Sequence, residues 1–360
     1  MNDWLPQNDR KRCIDYFGNM SQVAGLRRCV LSDGKQAGVE AVDVDTGGGL
    51  SFTVLPGRGM DISRLSYRGV PISYLSKAGV TSPVYYDPRG MQWLRSFFAG
   101  MLTTCGMSNA GPPCAEEHPI IGEVPFGLHG EISNTGADNV CATEEWTPSG
   151  YEMTVSGRMQ EGRLHGEHLQ LRRTIRARLG EKRLLLHDVY SNEGNRAEPL
   201  MFFYHINLGH PLWDEGAVFE APSLEVTANT PQAKAGMESH RLGEAPTPDY
   251  LEQQFFHTLG ADGEGNTLAA LLNDRLELGF YLRYNLRQMP YISQWKLCRR
   301  SEYVLAFEPG NCYPVGREEQ RRAGKLELLE PMGVHEVDME LGIVDGAAEL
   351  AALRREIEAL

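Results

Sequence analysis

The sequence predicts a mainly β protein, a large antiparallel sandwich with a few peripheral helices, and three observations lead there. Apolar residues recur with a period of two, turn glycines are spread along the chain, and no strand–helix–strand rhythm is present. The 39 Gly and 20 Pro among 360 residues mark no linker. The chain therefore reads as one domain over 1–360, with a core from about 20 to 340 and a C-terminal helix from about 346 to 360.

Taken in order, the opening "MNDWLPQNDRKRC" puts charges where a secretory signal needs an apolar run. "CIDYFGNMSQVAGLRR" is a weak helix candidate. "VEAVDVDTGGGLSFTVLP" reads as two strands punctuated by Thr46 to Gly49, and "LSYRGVPISYLS" as two more around Arg68-Gly69. The uncharged stretch Ser96 to Ala115 is broken by Gly, Pro, Ser, Thr and Asn, which suits a loop-rich segment and not a membrane span. "HLQLRRTIRARLG" alternates apolar and polar residues, with Arg173 alone breaking the inner face. "LLLHDVYSN" returns after "LGEKR", so 168–192 is expected to be a hairpin. "NTLAALLNDR" is a second helix candidate. The C-terminal "VDGAAELAALRREIEAL" repeats Leu350, Leu353 and Ile357 at helical spacing behind a capping Asp345.

The net charge of −13 argues against nucleic acid as a partner, since phosphate binding needs clustered Lys and Arg. A small neutral or polar ligand is expected instead. Seven scattered cysteines without a C-x-x-C pair fit reduced thiols and a cytoplasmic location. There is no P-loop and no strand-G-x-G-x-x-G-helix unit. Cys105, Cys114, His118 and His129 have no recognised zinc spacing, and no metal or organic cofactor is expected. No membrane partner is expected, and pairing of two copies is compatible with the chain.

Three motifs break apolar patterns with groups able to do chemistry. His129 lies in "PFGLHGEISNTG", whose Leu-His-Gly-Glu recurs at 164–167. The glycines beside His129 allow a tight loop from which the ring projects, whereas His165 and His168 stand in a charged strand entry. In "MFFYHINLGHPLW", His205 and Asn207 share one face of an otherwise apolar strand; a satisfied core histidine is the alternative. In "EYVLAFEPGN", Glu308 closes an apolar strand, where burial should raise its pKa into the range of a working base.

"LPGRGMDI", "FFAGMLTTCGMSNAGPP", "GLHGEISNT", "YHINLGHPL" and "VLAFEPGN", in that order, resemble the bacterial aldose 1-epimerase-like family DUF4432, related to galactose mutarotase. The resemblance runs from about residue 20 to 340. It implies a β-supersandwich with a sugar on one concave face. It also implies an aldose 1-epimerase that interconverts α and β anomers by ring opening. Glu308 then takes the proton of the anomeric hydroxyl, His205 protonates the ring oxygen as an imidazolium, and His129 hydrogen-bonds the sugar. The first copy of Leu-His-Gly-Glu matches the family loop, and the second does not.

Arg58 in "GRGMDI" is the candidate sugar-side cation, with a salt bridge to Asp61 as the structural alternative. Asn207 is a candidate sugar contact, and Trp295 in "YISQWKL" is a candidate stacking platform. The competing functions are a non-catalytic carbohydrate-binding protein, which needs the pocket but not the acid–base pair, and another sugar isomerase on the same fold.

Overall fold

Two antiparallel sheets enclose most of the apolar side chains of the computed structural model, which describes residues 9–360. The eight-stranded sheet runs Val218–Glu220, Asn266–Asn273, Leu278–Asn285, Val334–Asp345, Arg183–Asn192, His168–Arg178, Gly150–Gly162, Asp138–Thr147. The seven-stranded sheet runs Ser223–Ala228, Gln253–Leu259, Tyr291–Arg299, Glu302–Gly310, Glu198–Gly209, Glu327–Leu329. Its seventh strand, Thr103–Met107, also pairs with Glu198–Gly209. A five-stranded sheet lies between Gly25 and Pro71, and a hairpin joins Cys114–His118 to Gly122–Phe126.

The period-two stretches became strands for the expected reason. Ile175 pairs with Leu186 in the hairpin of 168–192, and both point into the main core with Tyr190. Each such side chain contributes roughly 1.5–3 kcal/mol through burial. Arg173, the residue that breaks this inner face, is fully buried between the sheets. Its guanidinium meets Asp188 at 2.6 Å and Asp61 at 3.0 Å and also donates to the Thr104 hydroxyl. Tyr204 donates to Asp188 in the same cluster.

The strand Glu198–Gly209 is buried along its whole length and divides two environments. Phe202, Tyr204, Ile206 and Leu208 enter the core between the sheets, whereas Met201 and Phe203 join Trp93, Phe97 and Leu128 on the opposite face. That second face carries His205. Residues such as Tyr74, Tyr86, Trp93, Phe97 and Leu128 cover it, so the broken, uncharged stretch from Ser96 supplies part of the cover and, in Thr103–Met107, a strand of the sheet itself.

Three expectations are corrected. "NTLAALLNDR" is a strand, not a helix, paired with Leu278–Asn285. Its alternation is hidden because both faces are apolar: Ala269 and Leu271 face the main core, while Leu268, Ala270 and Leu272 receive the C-terminal helix. That helix, Ala347–Glu358, inserts Leu350, Leu353 and Ile357 there. Its N-cap is Gly346 and not Asp345, whose carboxylate instead accepts from Tyr67 and Arg68. Of the N-terminal helix candidate, residues 13–28, only 13–16 are α-helical, as the end of Arg10–Tyr16; a 3-10 turn follows at Met20–Gln22, and Gly25–Val30 is a strand. Among the described residues no helix is long and apolar enough to cross a membrane.

Candidate functional site

Cross-strand register builds the centre of the site. Ser293 stands opposite Glu308 on neighbouring strands. The register that pairs Phe203 with Gly310 and Ile206 with Phe307 places His205 opposite Glu308 on the other side, and His205 itself pairs with Thr103. Ser293, Glu308 and His205 thus form a row across three strands, with their side chains on one face. Gly310 makes the close approach possible, because a Cβ there would meet the Phe202 carbonyl oxygen at 2.3 Å.

Nε2 of His205 lies 3.2 Å from Oε1 of Glu308, and Ser293 Oγ donates to Glu308 Oε2. Both members of the pair are buried, at 6 % and 3 % exposure. Burial pushes Glu308 up to about 7; hydrogen bonds from Ser293 and Gln254 oppose this, and the charge of Glu252 adds to it. Burial also pulls His205 down to about 3. Both shifts run against the imidazolium–carboxylate form expected from sequence, because removing the pair from water disfavours two separated charges. The imidazole is therefore neutral, and the carboxyl keeps its proton to a higher pH than an exposed glutamate does.

His129 has φ of 57°, and the next residue, Gly130, packs so tightly that a Cβ would meet the Gly106 carbonyl oxygen at 2.1 Å. The His129 ring edges onto Trp93 and Phe203, with centroids 4.8 and 5.1 Å away. Its Nδ1 accepts from the Gly111 N–H at 3.2 Å, so the ring proton sits on Nε2. Burial, reinforced by His205, pulls its pKa down to about 3. His129 is therefore a neutral donor. His165 also has a positive φ, 67°, but it is exposed in the turn between two strands, and His168, also exposed, opens the second of them.

Trp295 follows Ser293 by two residues and so faces the same side. Its indole N–H donates to Glu252 at 3.0 Å, and its ring meets His205 edge-on at 5.3 Å. Phe97 approaches His205 from the covering segment at 5.0 Å. Phe97, Trp295 and Glu252 also line a cleft of about 620 Å³ with Tyr74, Leu94 and Leu251; neither His205 nor Glu308 lines it, and the rings of Phe97 and Trp295 stand between it and His205. Sequence reasoning missed Ser293, Phe97, Gln254 and Glu252. Ser293 alone left a signal, its two-residue spacing from Trp295.

Arg58 is placed differently from its expected sugar-side role. It is 1 % exposed, and its guanidinium donates to the carbonyls of Ser133, Thr81 and Ser96, with Phe98 beneath it. The alternative also needs correction, since Asp61 pairs with Arg173. Arg58 ties together three segments of the cover and points no donor at the cleft. Asn207 is fully buried, its Nδ2 donating to the His205 carbonyl at 2.8 Å. Among the described residues no three His, Cys, Asp or Glu side chains are grouped to hold a metal ion, so Cys105, Cys114, His118 and His129 form no common site.

The family model described as a domain of unknown function, DUF4432, matches residues 36–343. No curated protein matches the chain. Among solved structures, a Klebsiella pneumoniae protein provisionally described as an aldose 1-epimerase superposes with a TM-score of 0.87 at 26% identity, covering 99% of this chain and 94% of that one. A galactose mutarotase-like protein from Clostridium acetobutylicum gives 0.62 at 12% identity, over 90% of this chain and 99% of that one. Galactose 1-epimerase from Lactobacillus acidophilus gives 0.58 at 11% identity, over 90% and 99%. The last two likenesses speak to the fold alone.

Proposed function

This chain belongs to the DUF4432 family and has the galactose mutarotase-like fold, and from that premise we propose that it is an aldose 1-epimerase-like isomerase acting on a free sugar or sugar derivative. The observation that carries the reading is the His205–Glu308 contact of 3.2 Å, beside a cleft walled by Phe97 and Trp295. Mutarotation needs one group to take the anomeric hydroxyl proton while another gives a proton to the ring oxygen, and both must act in reverse on closure. A buried pair that shares a single mobile proton is suited to both directions. His129, held as an Nε2–H donor, supplies a hydrogen bond to a sugar oxygen. Trp295 and Phe97 offer apolar faces against which a pyranose ring can lie.

The experiment is a panel of anomerically pure aldoses, deoxy sugars and uronates, followed by polarimetry and saturation-transfer NMR. Accelerated anomer exchange in at least one sugar is expected. Saturation transfer to a sugar without any faster exchange would replace this reading with a carbohydrate-binding one.

A further inference from the structure

Ser293 is fully buried on the interior strand Tyr291–Arg299, where it pairs with Phe256 on one side and with Glu308 on the other. Both ladders hold its backbone, so side-chain rotation is the freedom left to its hydroxyl. Among the described residues that hydroxyl makes one hydrogen bond, to Oε2 of Glu308. The two oxygens of the carboxyl are therefore unlike: Oε2 is turned to Ser293, and Oε1 is turned to Nε2 of His205 at 3.2 Å. A hydroxyl that donates to an ionised oxygen makes a charge-assisted bond, stronger than the bond it makes to a neutral carboxyl. Such a bond favours the ionised form and makes the bonded oxygen the poorer seat for an incoming proton. Gln254 acts in the same sense. Its Oε1 accepts from the Asn229 amide at 2.7 Å, which leaves its N–H groups for the carboxyl.

Resting on the reading of Glu308 as the base and His205 as the acid, we propose that Ser293 is a positioning residue for the base. Its hydroxyl pins Oε2 of Glu308, so that Oε1, the oxygen beside His205, is the one that exchanges a proton with the sugar. The same bond keeps the buried carboxyl able to ionise. The groups that face this carboxyl from the surrounding elements are His205 from Glu198–Gly209, Cys105 from Thr103–Met107, Glu252 beside Trp295, and the Gln254 amide; His129 bears on His205 from the covering loop. None of them is a fixed cation. Hydrogen bonds, with that of Ser293 foremost, are what oppose the burial of the base.

Carbon-13 NMR of protein labelled at the glutamate carboxyls, recorded without sugar, reads the titration of Glu308; its signal is the one missing from Glu308→Gln. In Ser293→Ala that titration is expected to move to higher pH, and in Ser293→Thr, which keeps the hydroxyl, to return toward the wild type. In turnover, Ser293→Ala should lower kcat/KM about tenfold at neutral pH, with the deficit narrowing as pH rises and the base ionises. Ser293→Thr should recover most of the lost rate. A Glu308 titration unmoved by Ser293→Ala overturns the proposal, as does a loss of rate by the same factor at every pH, the mark of a merely structural contact. A folded Ser293→Thr protein that titrates as the alanine variant does also overturns it. Because the carboxyl is read without sugar, failure to find any aldose that is turned over sinks the isomerase reading and leaves the Ser293–Glu308 result standing.

Discussion

The imidazole of His205 and the carboxyl of Glu308 meet at 3.2 Å across two neighbouring strands, and Ser293 on a third strand holds the far oxygen of the carboxyl. Neither group can ionise cheaply alone in that place, so proton transfer within the pair, or through a sugar between them, is the chemistry open to it. If that is its use, removing either member should slow anomer exchange far more than it weakens binding. Glu308→Gln and His205→Asn are each expected to lower turnover by ~10²–10⁴-fold, with saturation transfer to the sugar retained. Wild-type rates in both variants would refute the pair.

The repeated Leu-His-Gly-Glu offers a matched comparison. His129→Ala removes a buried Nε2–H donor near His205 and should cost about ten- to a hundredfold in kcat/KM. His165→Ala alters an exposed turn and should change stability by about half a kcal/mol or less, with kinetics unaffected. Equal activity in the two variants would remove His129 from the site.

Stability should carry the imprint of the buried acid. The Glu308 pKa is raised by folding from 4.5 to about 7, so the folded protein holds this proton more tightly than the unfolded chain does. Its contribution is complete below 4.5 and is lost as pH rises through about 7, a span worth up to about 3 kcal/mol. Glu161, also buried and raised to about 7, acts in the same sense. His129 and His205, both lowered from 6.5 to about 3, act oppositely, and their share is lost as pH falls below 6.5. Urea unfolding at several pH values should therefore show Glu308→Gln gaining on the wild type as pH increases from 4.5 to about 7 and levelling off above it. A constant difference between the two proteins would contradict the assignment.

Arg173 sets a separate test, of the fold. Arg173→Ala would leave the carboxylates of Asp61 and Asp188 between the sheets without their shared cation, at a cost of about 3–5 kcal/mol. Denaturant titration measures this directly. A loss below about 1 kcal/mol, the range of solvent-exposed ion pairs, would mean that water reaches the cluster.

Much of the architecture was legible because a strand with one wet face writes its alternation into the sequence. The hairpin of 168–192 and the turns at 46–49 and 68–69 follow from that rule. The rule failed for 266–273, where a helix covers the outer face and both sets of alternate residues are apolar. His205 and Glu308 were recognisable as polar interruptions of apolar strands, and His129 as a histidine flanked by glycines. Arg58 misled, because a guanidinium beside glycines looks the same whether it faces a ligand or three carbonyl oxygens.

By itself, then, the sequence determined the class of fold and the chemical types able to act, since burial and period-two alternation are local properties of each strand. Only the tertiary structure decided which of those groups meet. Ser293, His205 and Glu308 are joined by strand register, and a shift of one residue would turn each side chain to the opposite face. The tertiary structure likewise decided the charge state of the pair, because the depth of burial that raises Glu308 and lowers His205 is set by Phe97, Trp295 and the cover that segments distant in sequence lay over them.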